Sequence, residues 1–270
     1  MKNKILLIAA CFLLPALVSA QHHGAFQKYQ YIQGSDTLPY RLLLPASYNH
    51  FDTTTKYPLI IFLHGSGERG NNNTSQLNHG GRLFTNDSIM LNYPAVVIFP
   101  QCAARSRWSN FRMHKDTVTK IPSITFPLDL PPTKDMELLM QLIAEVDTTY
   151  YIDTQRIYVG GLSLGGMGTY DIVYRNPGKF AAAFPICGAE DPEVAKNMTG
   201  TAWWIFHGQK DSGVSVKYAQ AMDSALKKEG VDVKLTIYPE AGHNSWDDAF
   251  KEPGLFDWMF EKKLKPFALK

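Results

Sequence analysis

The stretch "YVGGLSLGGMGTY", residues 158–170, surrounds one serine with glycines. Ser163 lies between Gly161 and Gly165, and two more glycines follow within the next five residues. Because glycine weakens ordinary helices and strands, this density indicates a strained turn or a close approach of two backbones. An apolar run precedes the serine and a helical pattern follows it. The stretch therefore predicts a strand, a sharp turn and a helix, with the serine at the turn.

Strand patterns alternate with helix patterns along most of the chain. The solid apolar runs Tyr57–Leu63 and Ala95–Phe99 are typical of strands buried on both faces. Other predicted elements are an antiparallel pair (26–33 and 38–44), strands (156–159, 180–186, 202–206 and 233–238), helices (75–91, 134–146 capped by Thr133, 164–175 and 216–228) and a helical tail broken at Pro253. This alternation predicts a single α/β domain over residues 21–270, with a mostly parallel sheet and helices on both faces.

The overall composition excludes some classes of function. The chain has 270 residues, of which 45% are hydrophobic and 19% are charged, and its formal net charge is only +2. That balance gives no support for a nucleic-acid partner, which usually leaves a strongly basic footprint. We see no internal repeat or low-complexity tract that would indicate a solenoid or a disordered scaffold.

The first residues resemble a targeting segment. Lys2 and Lys4 precede an apolar stretch, and the small residues 18–20 form a cleavage site of the A-x-A type. This pattern predicts a signal peptide over residues 1–20 and a secreted or periplasmic mature protein. The apolar stretch is too short for a membrane span. The residues before Cys11 also resemble the lipobox of bacterial lipoproteins, so lipidation at Cys11 is the alternative.

The pattern G-x-S-x-G around Ser163 is typical of a nucleophile elbow when it joins a strand to a helix. A serine hydroxyl needs a base, and the base needs an acid that orients it. In proteins with a nucleophile elbow of this kind, the acid and then the base follow the serine along the chain. Asp211 follows the predicted strand "WWIF", and His243 follows the last predicted strand. The sequence therefore predicts a triad of Ser163, Asp211 and His243, with Asp191 or Glu240 as alternative acids.

A glycine-rich loop, "HGSGERGNNN", follows the strand Tyr57–Leu63. A loop in this place supplies one backbone N–H of the oxyanion hole, and the residue after the nucleophile supplies the other. The predicted donors are the N–H groups of Leu164 and Ser66, with Gly67 as the alternative to Ser66. His64 is expected to order this loop without transferring a proton. No G-K-[ST] follows the glycines, so the loop is not predicted to bind phosphate.

Four motifs in this order, "HGSGERG", "GGLSLGGMGTY", "HGQKDSGV" and "EAGH", resemble the α/β-hydrolase superfamily over about residues 28–263. Within it they are similar to the secreted esterases related to dienelactone hydrolases, polyhydroxybutyrate-depolymerase-like enzymes and feruloyl esterases. The resemblance implies the same triad and an acyl-enzyme, with no cofactor and no metal. It also implies a small-molecule or polysaccharide-linked ester as substrate, with feruloyl or acetyl esters of carbohydrates as the expectation.

The stretch 101–132 has no clear periodicity and departs from the family's pattern after its first residues. "FPQC" followed by Trp108 resembles a substrate-side motif of these esterases, which implies that Gln101 and Trp108 contact substrate. Trp246, close to His243 in sequence, is the third predicted substrate contact, since an aromatic face suits a phenolic or sugar ring. The alternative for both tryptophans is a place in the core.

Cys102 and Cys187 are predicted not to form a disulfide. Each follows a core strand, and the family's sheet order places two other strands between them. Three strand spacings of about 4.8 Å separate the strand ends by roughly 14 Å. A disulfide needs Cα atoms within about 7 Å. Cys187 is therefore expected to be buried, and Cys102 to line the edge of the site.

Two further functions are consistent with the motifs. A serine peptidase of the prolyl-oligopeptidase type shares this catalytic domain, although the chain has no room for a propeller. A carbohydrate-binding protein that is not an enzyme can also use a hydrolase scaffold, because fold does not fix function. The complete triad and the oxyanion loop argue against the second of these alternatives.

Overall fold

The centre of the computed structural model, which describes residues 25–115 and 122–264, is an eight-stranded sheet. Its strands are β1 (Gln27–Gln33), β2 (Asp36–Leu43), β3 (Tyr57–Leu63), β4 (Val96–Pro100), β7 (Ile152–Leu162), β8 (Ala182–Ile186), β9 (Ala202–Gly208) and β10 (Val233–Tyr238). The spatial order is β1-β2-β4-β3-β7-β8-β9-β10. Only β1–β2 and β2–β4 pair antiparallel, and the other five pairings are parallel. The predicted signal peptide and Cys11 lie outside the described residues.

Helices cover both faces of this sheet, which confirms the predicted α/β class. They are α1 (Gly81–Phe84), α2 (Asp87–Asn92), α3 (Lys134–Thr149), α4 (Leu164–Arg175), α5 (Val216–Lys228), α6 (Trp246–Ala249) and α7 (Leu255–Glu261). Leu59 and Ile61 of β3 share one buried cluster with α3, α4 and α5. Ile60 and Phe62 belong to a second buried cluster, together with residues of α1, α6 and α7. Since alternate side chains of β3 point into two cores, its sequence is continuously apolar.

The predicted helix over 75–91 is broken into short pieces. A single 3-10 turn, Ser75–Leu77, is followed by α1 and α2. Gly80 has a φ of 87° between the first two pieces, and such a backbone ends a helix. Asn86 starts α2 afresh, because its side chain accepts hydrogen bonds from two backbone N–H groups, those of Ser88 and Ile89.

The stretch 101–132 contains a two-stranded hairpin that the sequence does not predict. Strand β5 (Arg112–Lys115) pairs antiparallel with β6 (Pro122–Thr125), apart from the central sheet. Ile124 and Phe126 are buried beside Met167 and Val214 in a small apolar cluster of their own. We refer to β5 and β6 as the hairpin.

The two cysteines of the described chain are free, as predicted, and both are buried, although burial was predicted for Cys187 alone. Strands β3 and β7 lie between β4, which precedes Cys102, and β8, which precedes Cys187. The sheet order therefore holds the two thiols apart. Among the described residues, none of the helices has the length and hydropathy to cross a membrane.

Candidate active site

Ser163 lies at the turn between β7 and α4, with a φ of 53° and a ψ of −114°. Residues other than glycine rarely adopt a positive φ, and a strained backbone of this kind costs about 1–3 kcal/mol. The flanking glycines make the turn possible. A Cβ at Gly165 would lie 1.9 Å from the carbonyl oxygen of Leu63, and one at Gly161 would lie 2.5 Å from the carbonyl oxygen of Gly165. The glycines around Ser163 thus allow three backbone segments to meet.

The next glycines of the motif serve packing. A Cβ at Gly166 would lie 2.8 Å from the carbonyl oxygen of Ile186, so α4 approaches the end of β8 directly. A Cβ at Gly168 would lie 2.4 Å from the Cβ of Trp108. The first turns of α4 are therefore held close to the sheet on one side and to the 101–132 stretch on the other.

The three residues of the predicted triad form one chain of hydrogen bonds. Ser163 Oγ lies 2.8 Å from His243 Nε2, and His243 Nδ1 lies 2.8 Å from Asp211 Oδ2. A carboxylate only accepts hydrogen bonds, so Nδ1 carries the proton and Nε2 is free to accept the hydroxyl of Ser163. The carboxylate is fully buried, and about a third of the imidazole is exposed. This is the arrangement in which the imidazole can take a proton from the serine.

The carboxylate of Asp211 is fixed on both oxygens. Oδ1 accepts hydrogen bonds from Gly213 N at 2.8 Å and Val214 N at 2.9 Å. His207 Nε2 lies 3.3 Å from Oδ2 and 2.8 Å from the carbonyl oxygen of Val214. Burial raises the pKa of Asp211, but the hydrogen bonds from His207, His243 and Val214 outweigh it, so the pKa falls below its usual range. Asp211 is therefore ionised at neutral pH.

The two alternative acids have other partners. Asp191 caps the 3-10 helix Pro192–Asn197 by accepting a hydrogen bond from Glu193 N at 3.0 Å. Glu240 is exposed and pairs with Lys210. Asp211, rather than Asp191 or Glu240, contacts the imidazole of His243.

Two predicted oxyanion donors stand at the starts of short helical segments beside Ser163. Leu164 is the first residue of α4, and Ser66 is the first residue of the 3-10 helix Ser66–Glu68. The first N–H groups of a helix have no partner within the helix, so they are available to an anion. Ser66 and Leu164 line the same cavity as Ser163.

His64 orders this loop, as the sequence predicts. Its Nδ1 lies 2.6 Å from the carbonyl oxygen of Gly65, and its Nε2 accepts a hydrogen bond from Cys102 N at 3.0 Å. Burial lowers the pKa of His64 to about 4, since the charged imidazole cannot be solvated there. His64 is therefore a neutral side chain that joins the ends of β3 and β4.

Gln101 and Trp108 were predicted to contact substrate, but their burial excludes this role. Both side chains are fully buried. The amide of Gln101 bonds Asn73 N at 2.7 Å and the carbonyl oxygen of Glu68 at 3.0 Å. Trp108 Nε1 donates to the carbonyl oxygen of His64 at 3.2 Å. Since these polar atoms bind the glycine-rich loop, both side chains brace that loop beneath the cavity.

Cys102, expected at the edge of the site, is also fully buried and does not line the cavity. Its backbone N–H donates a hydrogen bond to His64 Nε2, on the inner side of the glycine-rich loop. Trp246, the third predicted substrate contact, lies beside His243 but is not among the lining residues of the cavity. Its ring is half-buried and stands edge-on to the ring of His243, with centroids 5.7 Å apart.

A cavity of about 490 Å³ opens at Ser163, Leu164 and His243. Its remaining lining residues come from three loops, the hairpin and α4, and are Ser66, Arg69, Arg107, Phe111, Met113, Ile124, Met167, Gly213 and Val214. The apolar members of this set were not predicted as site residues. They lie far apart in sequence and show no common spacing, so only the folded chain brings them together.

Among the described residues, one group of three side chains has the composition of a metal site. Ligand atoms of Cys187, Asp211 and His243 lie within 4.8 Å of one another. Burial raises the pKa of the Cys187 thiol well above its usual range. Since the thiolate is the form that binds metals, this environment disfavours the group as a metal site.

Comparison with known proteins agrees with this geometry. The family described as phospholipase/carboxylesterase matches residues 52–253. The chain belongs to that family. Family members are carboxylic ester hydrolases, the class of enzyme that the sequence predicts. The family assignment also agrees with the predicted relationship to the α/β-hydrolase superfamily.

Three individual proteins illustrate the similarity. A bifunctional acetylxylan esterase/xylanase of Neocallimastix patriciarum is 34% identical over 83 residues, which are 31% of this chain and 12% of that protein. The structure of a thermostable esterase superposes with a TM-score of 0.77 at 30% identity, covering 89% of this chain and 64% of that one. A ferulic acid esterase from Anaeromyces mucronatus, solved with ferulic acid, gives a TM-score of 0.61 at 16% identity over 88% of this chain and 90% of that one. The last likeness concerns the fold alone. The chain thus spans less than two thirds of the first two relatives.

Proposed function

We propose that the chain hydrolyses carboxylic esters with Ser163 as nucleophile, His243 as general base and acid, and Asp211 as the orienting acid. The main support is the chain of two 2.8 Å hydrogen bonds that starts at a serine with a strained backbone. A hydroxyl in such a chain is activated without a metal or a cofactor. The ionised state of Asp211 is the state that this role requires.

In the first half of the reaction, His243 Nε2 takes the proton of Ser163 as Oγ forms a bond with the ester carbonyl carbon. The negative charge that develops on the carbonyl oxygen is stabilised by the N–H groups of Leu164 and Ser66. His243 then gives its proton to the leaving alcohol as the C–O bond breaks, which leaves an acyl group on Ser163. Asp211 remains ionised and stabilises the imidazolium.

In the second half, a water molecule takes the place of the alcohol. His243 removes its proton while the water oxygen attacks the acyl carbon, and the same oxyanion donors stabilise the intermediate. When the bond to Ser163 Oγ breaks, the proton on His243 returns to the serine. The products are a carboxylic acid and the free enzyme.

For the substrate, we propose feruloyl or acetyl esters linked to carbohydrate. The relative named for acetylxylan supports this class. So does the apolar lining from Phe111, Met113 and Ile124, which suits an aromatic or short aliphatic acyl group. Export directed by residues 1–20, which we also propose, would bring the enzyme to such polymers outside the cytoplasm.

Hydrolysis of 4-nitrophenyl acetate tests the chemistry. Ser163→Ala should lower kcat by a factor of about 10⁴–10⁶, because the nucleophile is lost. Ser224→Ala is the matched control, since Ser224 is exposed on α5 and its hydroxyl bonds only the carbonyl oxygen of Gln220 in the described chain. It should keep full activity, and both variants should melt like the wild type. A fluorophosphonate probe that labels Ser163→Ala as strongly as the wild type would refute the assignment.

Activity on natural-type esters tests the substrate. Methyl ferulate and acetylated xylan should be hydrolysed, while a prolyl peptide anilide should not. Turnover of the anilide with neither ester cleaved would favour the peptidase alternative. Carbohydrate binding with no turnover of any substrate would favour the scaffold alternative.

A further inference from the structure

Two arginines, Arg69 and Arg107, line the cavity that opens at Ser163. No aspartate or glutamate lines it in the described parts of the chain. Neither guanidinium forms an ion pair with a described carboxylate, whereas other cations, such as Lys134 and Lys179, do. Among the described residues, the two arginines of the lining therefore have no ion-pair partner, and the carboxylate of the triad, Asp211, is bonded to His243, Gly213 and Val214.

Both guanidinium groups are held in place by backbone oxygens. Arg69 donates from Nε to the carbonyl oxygen of Ser66 at 3.0 Å and from Nη1 to that of Ser106 at 3.1 Å. Arg107 donates from Nη1 to the carbonyl oxygen of Phe111 at 2.9 Å, and its guanidinium lies 4.7 Å from the centre of the Phe111 ring. Nη2 of each arginine has no partner among the described residues. Two oriented donors that cost little side-chain entropy to use are therefore available to a ligand.

The rest of the cavity is mostly apolar. Met113 and Ile124 of the hairpin contribute to the lining, together with Met167 of α4 and Val214 of the Asp211 loop. A ligand in this cavity therefore meets apolar side chains in one part and two cations in another. A volume of 490 Å³ is in the range of small-molecule sites, so one ligand can touch both parts.

We propose that this cavity selects esters that carry an anionic group, a carboxylate or a phosphate, which Arg69 and Arg107 bind while Ser163 attacks the ester carbonyl. This inference rests on the proposed role of Ser163 as nucleophile. Guanidinium groups bind planar carboxylates and phosphates with paired, charge-assisted hydrogen bonds. Because the arginines are partly exposed, the preference should weaken as salt rises.

Three aryl acetates of matched shape test the preference. These are 4-carboxyphenyl acetate, 4-acetoxyphenyl phosphate and the neutral 4-carbamoylphenyl acetate. We expect kcat/KM for at least one anionic ester to exceed that for the neutral ester by about tenfold at low salt, mainly through KM. The two anionic esters distinguish a carboxylate from a phosphate as the preferred group. Equal values for all three esters, or a preference for the neutral one, would overturn the proposal.

Arg69→Gln and Arg107→Gln should each lower the ratio of anionic to neutral kcat/KM by about three- to tenfold. The ratio is the readout, because Arg69 also holds the loop of Ser66 and its loss can slow both substrates. Arg105→Gln is the matched control, since Arg105 is exposed in the same stretch but does not line the cavity. It should keep the wild-type ratio. A loss of the same size in Arg105→Gln, or an unchanged ratio in both lining variants, would contradict the assignment.

Binding measured without turnover separates this inference from the proposed function. We expect calorimetry to show that 4-acetamidobenzoate binds about tenfold more tightly than 4-acetamidobenzamide. The difference should persist in Ser163→Ala and should fall in Arg107→Gln. If no ester is hydrolysed but this difference is found, the nucleophile assignment fails and the anion site stands. If the neutral ester is hydrolysed but the two ligands bind equally, the nucleophile assignment stands and the anion site fails.

Discussion

The hydroxyl of Tyr218 binds both polar groups of Ile124. Its oxygen accepts the backbone N–H of Ile124 at 2.6 Å, and it donates to the carbonyl oxygen of the same residue at 3.2 Å. Tyr218 belongs to α5 and Ile124 to the hairpin, so one side chain ties the hairpin to the main fold. Because Ile124 lines the cavity, this tie also sets the position of an apolar wall.

Tyr218→Phe should therefore change specificity more than chemistry. Without the hydroxyl, the backbone N–H and carbonyl of Ile124 both lose a hydrogen-bond partner. The free energy that holds the hairpin against α5 should then fall by about 1–3 kcal/mol. We expect KM for methyl ferulate to rise about three- to tenfold relative to KM for an acetyl ester, because the larger acyl group needs the wall more. Tyr29→Phe on the edge strand β1 is the control. Equal changes of KM for both esters would argue against a wall at Ile124.

Ser66→Pro tests the second oxyanion donor by removing one N–H. The change suits the local backbone, because Ser66 starts a 3-10 helix and Gly65 before it is extended, with a ψ of −176°. We expect kcat to fall by about 10²–10³ with little change in melting temperature. A variant that is stable and fully active would show that another group, such as the N–H of Gly67, is the donor.

Asp211→Asn should lower kcat by about 10⁴, because an amide can favour the wrong tautomer of His243. Asp191→Asn is the matched change, and since asparagine caps helices as well as aspartate does, its activity should be that of the wild type. The two variants are compared at pH 7 with 4-nitrophenyl acetate. Higher activity in Asp211→Asn than in Asp191→Asn would mean that the acid is misassigned.

Glu190 should make stability depend on pH. Burial raises its pKa well above the usual range, and the nearby Asp171 adds to this, although a hydrogen bond from Asp191 N opposes it. With a raised pKa in the folded state, its contribution to stability is full below the unfolded pKa of about 4.3 and is lost as pH rises toward the folded value.

Glu190→Gln should therefore be more stable than the wild type at pH 8 and equal to it at pH 4, as measured by urea unfolding. The amide oxygen can still accept the N–H of Asp191. Glu193→Gln, an exposed residue three positions on, should show no such difference. A stabilisation that is the same at both pH values would rule out titration of Glu190 as its cause.

Gly165→Ala tests the close approach beneath the serine. Since the new Cβ would lie 1.9 Å from the carbonyl oxygen of Leu63, the backbone must move, and we expect a loss of stability above about 3 kcal/mol. A Cβ at Gly67 meets no described atom within 4 Å, so Gly67→Ala should change stability by less than about 0.5 kcal/mol. Denaturant midpoints measure both. Similar midpoints for the two variants would contradict the crowding at Gly165.

Some strands and helices have bounds that depend mainly on their own local sequence, and these bounds were predicted as observed. The strand Tyr57–Leu63 is apolar on both faces, and the helix Val216–Lys228 begins after the capping residue Ser215. The order of strands then brings the ends of β7, β9 and β10 to one edge of the sheet, where Ser163, Asp211 and His243 meet.

Features that depend on contacts between residues far apart in the chain could not be predicted from the sequence. The strand "RMHK" of the hairpin has no apolar alternation, and its partner is fixed in part by a hydroxyl 94 residues away. Gln101 and Trp108 both follow the predicted strand Ala95–Phe99, but the sequence does not say which way their side chains point. Both turn inward, because buried carbonyl and N–H groups of the glycine-rich loop need partners. The arginines were visible in the sequence, whereas the absence of a carboxylate among the described lining residues of the cavity appears only in the folded chain.

The contact between Gly165 and Leu63 has a consequence for protein engineering. It fixes the loop after β3 and the turn at Ser163 as one rigid unit, so neither can be redesigned alone. The hairpin lies outside the central sheet and contributes side chains to the cavity without contributing a strand to that unit. Substitutions at the lining side chains of the hairpin, Met113 and Ile124, can therefore alter the acyl preference while the catalytic residues are left unchanged.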